Sequence, residues 1–193
     1  NGLGFETWSD ALINNAGGDA SVIVATDGVE PILVDGEIDP HAWNALTNGV
    51  IYVENIAAAM AAADAGNADA YSANAASYIA RLRALHASAA GTFGSLPEGG
   101  RTVVTAHDAF GYLADSYGLN FLAPVGIDTE AEPSASELAA LIAHLKKTGA
   151  GALFVENITS PALIEQISKE TGLKIGGRLF SDALSQRGGP ATS

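Results

Sequence analysis

An α/β fold built on a parallel sheet is what this sequence predicts, and three observations predict it. From Thr102 onward, short β-branched or apolar runs alternate with amphipathic helical segments, the pattern of right-handed strand–helix–strand crossovers. Apolar residues make up 48% of the 193 and charged residues only 16%, which permits a buried core and excludes a disordered chain. Capping and turn residues fall where such helices should start and stop, as at Ser134-Ala135-Ser136-Glu137 and Ser160-Pro161.

The elements follow in order. Phe5, Trp8, Leu12 and Ile13 recur at spacings near three and four, so residues 5–15 predict a short helix that Gly17-Gly18 stops. Ser21-Val22-Ile23-Val24-Ala25 is β-rich and closed by Thr26-Asp27-Gly28, the pattern of a buried strand and its turn. Residues 30–43, with Pro31, Gly36, Asp39 and Pro40, read as irregular. From Asn44 the composition turns helical, with Val50, Val53, Ile56, Ala57 and Met60 on one stripe. Asp64, Gly66 and Asn67 interrupt it, and Asn67 suits an N-cap. Beyond it Tyr71, Ala75, Tyr78, Ile79, Leu82 and Leu85 share a face. No Gly or Pro falls between Ala68 and Ala90, so this helix runs for about six turns, roughly 35 Å. Two readings stand for it: a spacer between two lobes, or a helix lying along one domain.

After Pro97-Glu98-Gly99-Gly100 the strand–helix alternation begins. Strands are expected at 102–105, 121–125, 152–155 and 174–180. Helices are expected at 109–117, ended by Gly118, after the capping box at Ser134 on the stripe Leu138, Leu141, Ile142 and Leu145, and after Ser160-Pro161 through Leu163, Ile164 and Ile167.

Composition also removes whole classes of function. Acidic residues number 22 against 9 basic, a net charge of −13, so the chain repels phosphate backbones and is no nucleic-acid binder. No apolar run reaches the roughly 18–20 residues of a bilayer span, so the chain is not itself membrane-spanning. Cysteine is absent, which removes disulfides, thiolate zinc sites and cysteine nucleophiles, and fits an oxidising compartment. There is no signal peptide, no phosphate loop, no G-x-G-x-x-G, no G-x-S-x-G and no H-E-x-x-H.

In an open parallel sheet, ligands bind beyond the carboxyl ends of the strands. That places His107-Asp108, Glu156-Asn157 and Ser181-Asp182 at one edge, and an imidazole meeting a carboxylate there suits a divalent metal. Each has a plainer reading. His107 reads also as a hydrogen-bonded polar residue, Asp182 as the cap of a helix at Ala183-Leu184, and Glu156-Asn157 as the organiser of the turn before Ser160. His41 lies in Asp39-Pro40-His41-Ala42-Trp43, a turn stiffened by Pro40, with Trp43 placed to pack beneath it. His86 and His144 flank apolar helical stripes and read as solvated helix edges.

Asp39-Pro40-His41-Ala42-Trp43, then His107-Asp108-Ala109-Phe110-Gly111-Tyr112-Leu113 through Tyr117-Gly118-Leu119, Phe154-Val155-Glu156-Asn157 and Leu179-Phe180-Ser181-Asp182-Ala183-Leu184 resemble, in order, the solute-binding proteins of zinc and manganese ABC transporters. The resemblance spans essentially the whole chain. It implies two lobes with parallel sheets joined by a long rigid helix, residues 1–66, 67–94 and 95–193 in turn, with the metal held between the lobes. It implies three ligands here: His41, His107 and Asp182. Manganese-type relatives usually carry Glu at the position of His107, so the imidazole is the more zinc-like choice, and some His-bearing relatives are reported to take Mn(II) as well as Zn(II). The His-rich loop of many zinc-specific relatives has no counterpart in residues 14–38. The opening Asn1-Gly2-Leu3-Gly4-Phe5-Glu6 looks like an internal segment of that family. The family's first His ligand would precede Asn1, and its terminal helix after Asp182 is not found, so the chain is expected to be truncated at both ends.

The implied function is capture of Zn(II), or also Mn(II), without catalysis, and its delivery to an ABC transporter permease, with a metallochaperone as a further partner. The implied setting is a monomer in the periplasm, or lipid-anchored outside a Gram-positive membrane. Because imidazoles ligate when neutral, affinity is expected to fall as pH drops through about 6.5. The rival reading is a zinc hydrolase with three protein ligands, an open position for water and Glu156 as general base. A surface adhesin on the same fold is a third.

Overall fold

The computed structural model describes residues 1–17, 21–129 and 133–191. It divides into two compact units, Asn1–Ala89 and Ala90–Ser193. Gly18 and the terminal Thr192-Ser193, both part of the sequence expectations, lie outside the described residues.

The first unit opens with helix α1 (Ser9–Ala16), ending at Gly17 with φ 65°, and none of its residues is buried. The strand expected at Ser21 to Ala25 does not form. Among the described residues no ladder partner lies beside it, and Val22, Ile23 and Val24 are about half exposed. The run is β-branched, but a strand exists only when its N–H and C=O groups find a neighbour. The irregular stretch, conversely, contains a hairpin of β1 (Leu33–Val34) and β2 (Glu37–Ile38), paired antiparallel. Asp35 and Gly36 form its two-residue loop with φ of 53° and 89°, the left-handed pair that matches the twist of the strands. The parallel sheet expected in this half is therefore absent among the described residues.

Helix α2 (Leu46–Ala63) and helix α3 (Ala68–Gly94), up to Ala89, carry the rest of the unit. Asp64 breaks α2, and residues Ala65–Asn67 form a single 3₁₀ turn in which the Asn67 amide donates to Asp64 Oδ2 at 2.7 Å. Leu46 and Val50 of α2 and Leu82 and His86 of α3 line a cavity of about 180 Å³. The buried residues of this unit are Thr26, Val29, Asp39, His41, Ala42 and Ala45, a small polar-centred cluster around the Asp39-Pro40-His41 turn.

The second unit holds the parallel sheet. Strands β3 (Thr102–Val104), β4 (Asn120–Leu122), β5 (Ala152–Glu156) and β6 (Ile175–Leu179) lie in the order β4-β3-β5-β6, every pair parallel. Helices α4 (Gly111–Tyr117), α5 (Ala135–Thr148) and α6 (Ala162–Thr171) connect them. The expected capping box forms: Ser134 Oγ accepts from Glu137 N at 3.2 Å and Glu137 Oε2 accepts from Ser134 N at 2.8 Å. Gly118 closes α4 in the left-handed region, φ 63°. Arg101 joins two helix ends, since its guanidinium donates to Gly94 O at the end of α3 and to Tyr117 O and Gly118 O at the end of α4.

Val104, Ala106, Leu153, Ile142, Leu145, Ile164 and Ile167 form the core between the sheet and α5 and α6. Leu153 is wholly buried on a central strand. Leu153→Ala should therefore lower unfolding stability by about 2–5 kcal/mol, the transfer loss plus the cavity left behind. Urea unfolding of the two proteins, followed by circular dichroism, measures that difference.

Candidate metal centre

Strand order reverses direction between β3 and β5, because β4 lies on one side of β3 and the later strands on the other. At such a switch point the loops leaving adjacent strands part and open a crevice at their carboxyl ends. His107 follows β3 by three residues and Glu156 is the last residue of β5. Both are buried, His107 completely.

The loop carrying His107 is pinned on every side. It pairs with Val125 as an isolated parallel bridge, Asp108 N donates to Val125 O at 3.1 Å, and Thr105 Oγ donates to His107 O at 3.0 Å. The Glu156 carboxylate sits inside the turn of that loop. Its Oε1 accepts from Ala106 N at 2.8 Å and His107 N at 3.0 Å. Its Oε2 lies 2.7 Å from His107 Nδ1 and accepts from Ser181 Oγ at 2.6 Å. Asp182 follows that serine, and its Oδ2 lies 3.3 Å from His107 Nε2. Residues 181–183 form a bend with no helix beyond it among the described residues, so Asp182 is not a helix cap. Asn157 Nδ2 donates to Ala183 O at 2.9 Å and holds the far side of the same bend.

His107 thus stands between two carboxylates. Burial alone would disfavour its charged form, but contacts with Asp182 and Glu156 outweigh that and raise its pKa from 6.5 to about 9. The reciprocal effect appears at Glu156: burial pushes its pKa up, and the bonds to His107 and Ser181 overcome this and hold it below the ordinary value. The pair is an imidazolium–carboxylate pair at neutral pH. Both Glu156 oxygens are committed to these donors, and the residue is 2% exposed, so the general-base role in the hydrolase reading lacks a free oxygen.

In the first unit His41 shows the same device by itself. Asp39 Oδ1 accepts from His41 N at 2.9 Å and meets His41 Nδ1 at 2.7 Å, with both side chains buried. Trp43 packs edge-on to the imidazole with ring centroids 5.2 Å apart, as expected, and Phe5 completes the cluster at 5.0 Å from Trp43. Pro40 O accepts from the Asn1 amide at 3.2 Å, which fastens the turn. Each imidazole therefore has Nδ1 on a carboxylate, the arrangement that orients Nε2 as donor to a metal. Of the other histidines, His144 is exposed and His86 half-buried on their helices.

The structure thus brings two of the sequence-derived site residues together, His107 and Asp182, at the edge of the second unit, while His41 lies in the first. Sequence reasoning treated Asp39 only as a backbone residue before Pro40 and gave Ser181 no role. The carboxylate–x–His spacing of Asp39 and His41, and Ser181 beside Asp182, were the available signals.

Fold and donor set together define a class: an α/β protein with buried imidazole and carboxylate groups suited to a divalent cation. The chain belongs to the ZnuA family, described as "Zinc-uptake complex component A periplasmic", which it matches over residues 1–193. It is 32% identical over 197 residues to the iron ABC transporter substrate-binding lipoprotein MtsA of Streptococcus pyogenes serotype M1, covering 98% of this chain and 64% of that protein. It is also 32% identical over 199 residues to the manganese ABC transporter substrate-binding lipoprotein PsaA of Streptococcus pneumoniae, covering 97% and 64%. The chain thus spans 64% of the length of these curated relatives.

Among solved structures, the periplasmic zinc-binding protein TroA of Treponema pallidum superposes with a TM-score of 0.90 at 27% identity, covering 98% of this chain and 72% of that one. The Mn-bound periplasmic metal-binding protein of Candidatus Liberibacter asiaticus superposes with a TM-score of 0.86 at 32% identity, covering 99% and 72%. The fold is that of the periplasmic metal-binding proteins, and the relatives are transport proteins rather than enzymes. No helix among the described residues is long and apolar enough to cross a membrane.

Proposed function

We infer that this chain captures a divalent metal as cargo for an ABC transporter permease, in the periplasm or on a lipid anchor outside the cell, with Zn(II) preferred over Mn(II). His41, His107 and Asp182 are the ligands of this reading, and residues 67–94 link the lobes 1–66 and 95–193. The observation that carries it is the repeated carboxylate–imidazole pairing, Asp39 on His41 and Glu156 on His107, each at 2.7 Å from Nδ1. Buried histidines need such partners to present Nε2 in a fixed direction, and a solvent-exposed histidine does not.

Two imidazoles and one carboxylate form a nitrogen-rich set that suits zinc better than manganese, which favours oxygen ligands. The comparisons support metal capture for transport; the preference for zinc rests on this donor chemistry. Nothing supports a metallochaperone as partner. Competition between the chain and a chromophoric chelator tests the assignment. Zn(II) should bind at least ten times more tightly than Mn(II), a difference of about 1.4 kcal/mol, and His41→Ala should weaken Zn(II) binding. Equal affinity of the two metals would remove the zinc preference, and undiminished zinc binding in His41→Ala would remove that ligand.

A further inference from the structure

We propose that Glu156 is a positioning residue for the cargo site, a single carboxylate that sets both the direction of His107 and the placement of the Asp182 bend. The proposal rests on the metal-capture reading above and deepens it.

The carboxylate joins three pieces of chain that are far apart in sequence. As the last residue of β5 it is held by the central strand, with neighbours on both sides. One oxygen takes the two successive loop N–H groups of Ala106 and His107, at 2.8 and 3.0 Å, and so fixes the backbone from which the imidazole projects. The other oxygen meets Nδ1 of the same imidazole at 2.7 Å and the Ser181 hydroxyl at 2.6 Å. Ser181 is itself buried, and its neighbour Asp182 reaches His107 Nε2 at 3.3 Å. A carboxylate oxygen 2.7 Å from Nδ1 favours the proton on that nitrogen, which leaves Nε2 as the ligating atom. The same oxygen also fixes the bend that carries Asp182. Direction of one ligand and position of the next are thus set by one side chain.

Glutamine at this position has the same shape and cannot satisfy the same partners. If its NH2 faces Ser181 and His107, it meets the Nδ1 proton and drives the imidazole toward the tautomer protonated at Nε2. If the amide turns, its NH2 faces the two loop N–H groups. Either way one face of the residue places donor against donor.

The test uses the full chain and Zn(II) alone as probe. Glu156→Gln should weaken zinc by about 10–100-fold, the range for loss of an outer-shell partner. The far-downfield His107 Nδ1 proton resonance of the zinc-loaded chain should disappear in this variant. Ser181→Ala, which leaves the carboxylate on Nδ1, should keep that resonance and weaken zinc by several-fold, less than the glutamine variant. If Glu156→Gln does not fold, Ser181→Ala decides: weakened binding with the resonance retained supports the proposal, and unchanged affinity overturns it. Wild-type affinity in Glu156→Gln, or weakened affinity with the Nδ1 resonance unmoved, also overturns it. These outcomes are separable from failure of the underlying reading, which would show as undiminished zinc binding in His107→Ala.

Discussion

His107→Ala should lower Zn(II) affinity by at least about 100-fold, because loss of a metal's outer-shell partner already costs about 10–100-fold and this change removes a proposed ligand itself. The structural cost should be small by comparison. The imidazole meets two carboxylates and is not itself a member of the apolar core formed by Val104, Ala106, Ile142, Leu145, Leu153, Ile164 and Ile167. Its removal does leave Glu156 and Asp182 facing one another without the cation between them, so a modest loss of stability accompanies the loss of binding. Chelator competition reads the first effect and thermal unfolding the second. Zinc affinity equal to that of the unsubstituted chain would show that His107 is not a ligand.

Acidity should act on the same group with comparable force. The sequence expectation placed the fall in affinity near the ordinary imidazole value of about 6.5. With the pKa of His107 raised to about 9 by Asp182 and Glu156, the metal-free site is already protonated at neutral pH. Zinc must displace that proton, so affinity should fall about tenfold for each pH unit below about 9. Between pH 8 and pH 6 the loss is about 100-fold. Stability of the metal-free chain runs the other way. A group whose folded pKa lies above its unfolded value stabilises fully below about 6.5 and ceases to do so as pH rises through about 9. Glu156, whose pKa is lowered, adds stability above its ordinary value of 4.5 that is lost as pH falls through its depressed folded value. Metal-free stability from this pair should therefore be greatest between about pH 4.5 and 6.5 and decline toward pH 9, whereas zinc affinity climbs over the same alkaline range. A flat zinc affinity between pH 6 and 8 would contradict the proton displacement.

The parallel sheet of the second unit was legible because its two central strands are β-branched or apolar runs, Thr102–Val104 and Ala152–Glu156, alternating with capped helical segments. The edge on which His107, Glu156 and Ser181-Asp182 meet followed from parallel topology alone. Which carboxylate would face the proposed metal and which holds the imidazole did not follow. Glu156 and Asp182 are alike in residue chemistry and differ in what surrounds them. One receives hydrogen bonds from backbone N–H groups 49 and 50 residues away, and no local spacing encodes that. The first unit was read less well for two separate reasons. Val22, Ile23 and Val24 have strand propensity without a strand beside them, so local preference has nothing to act on. Asp35-Gly36 is a strong two-residue turn signal, but Pro31 and Pro40 on either side made the stretch look irregular.

One guanidinium, Arg101, takes carbonyls from the final turns of both α3 and α4. Helix ends normally fray independently, each at its own small free-energy cost. Here a single side chain must let go before either end loosens, so the amides of the two turns share one opening event. Since α4 begins at Gly111, four residues beyond His107, that shared opening lies at the far end of the helix that follows the imidazole.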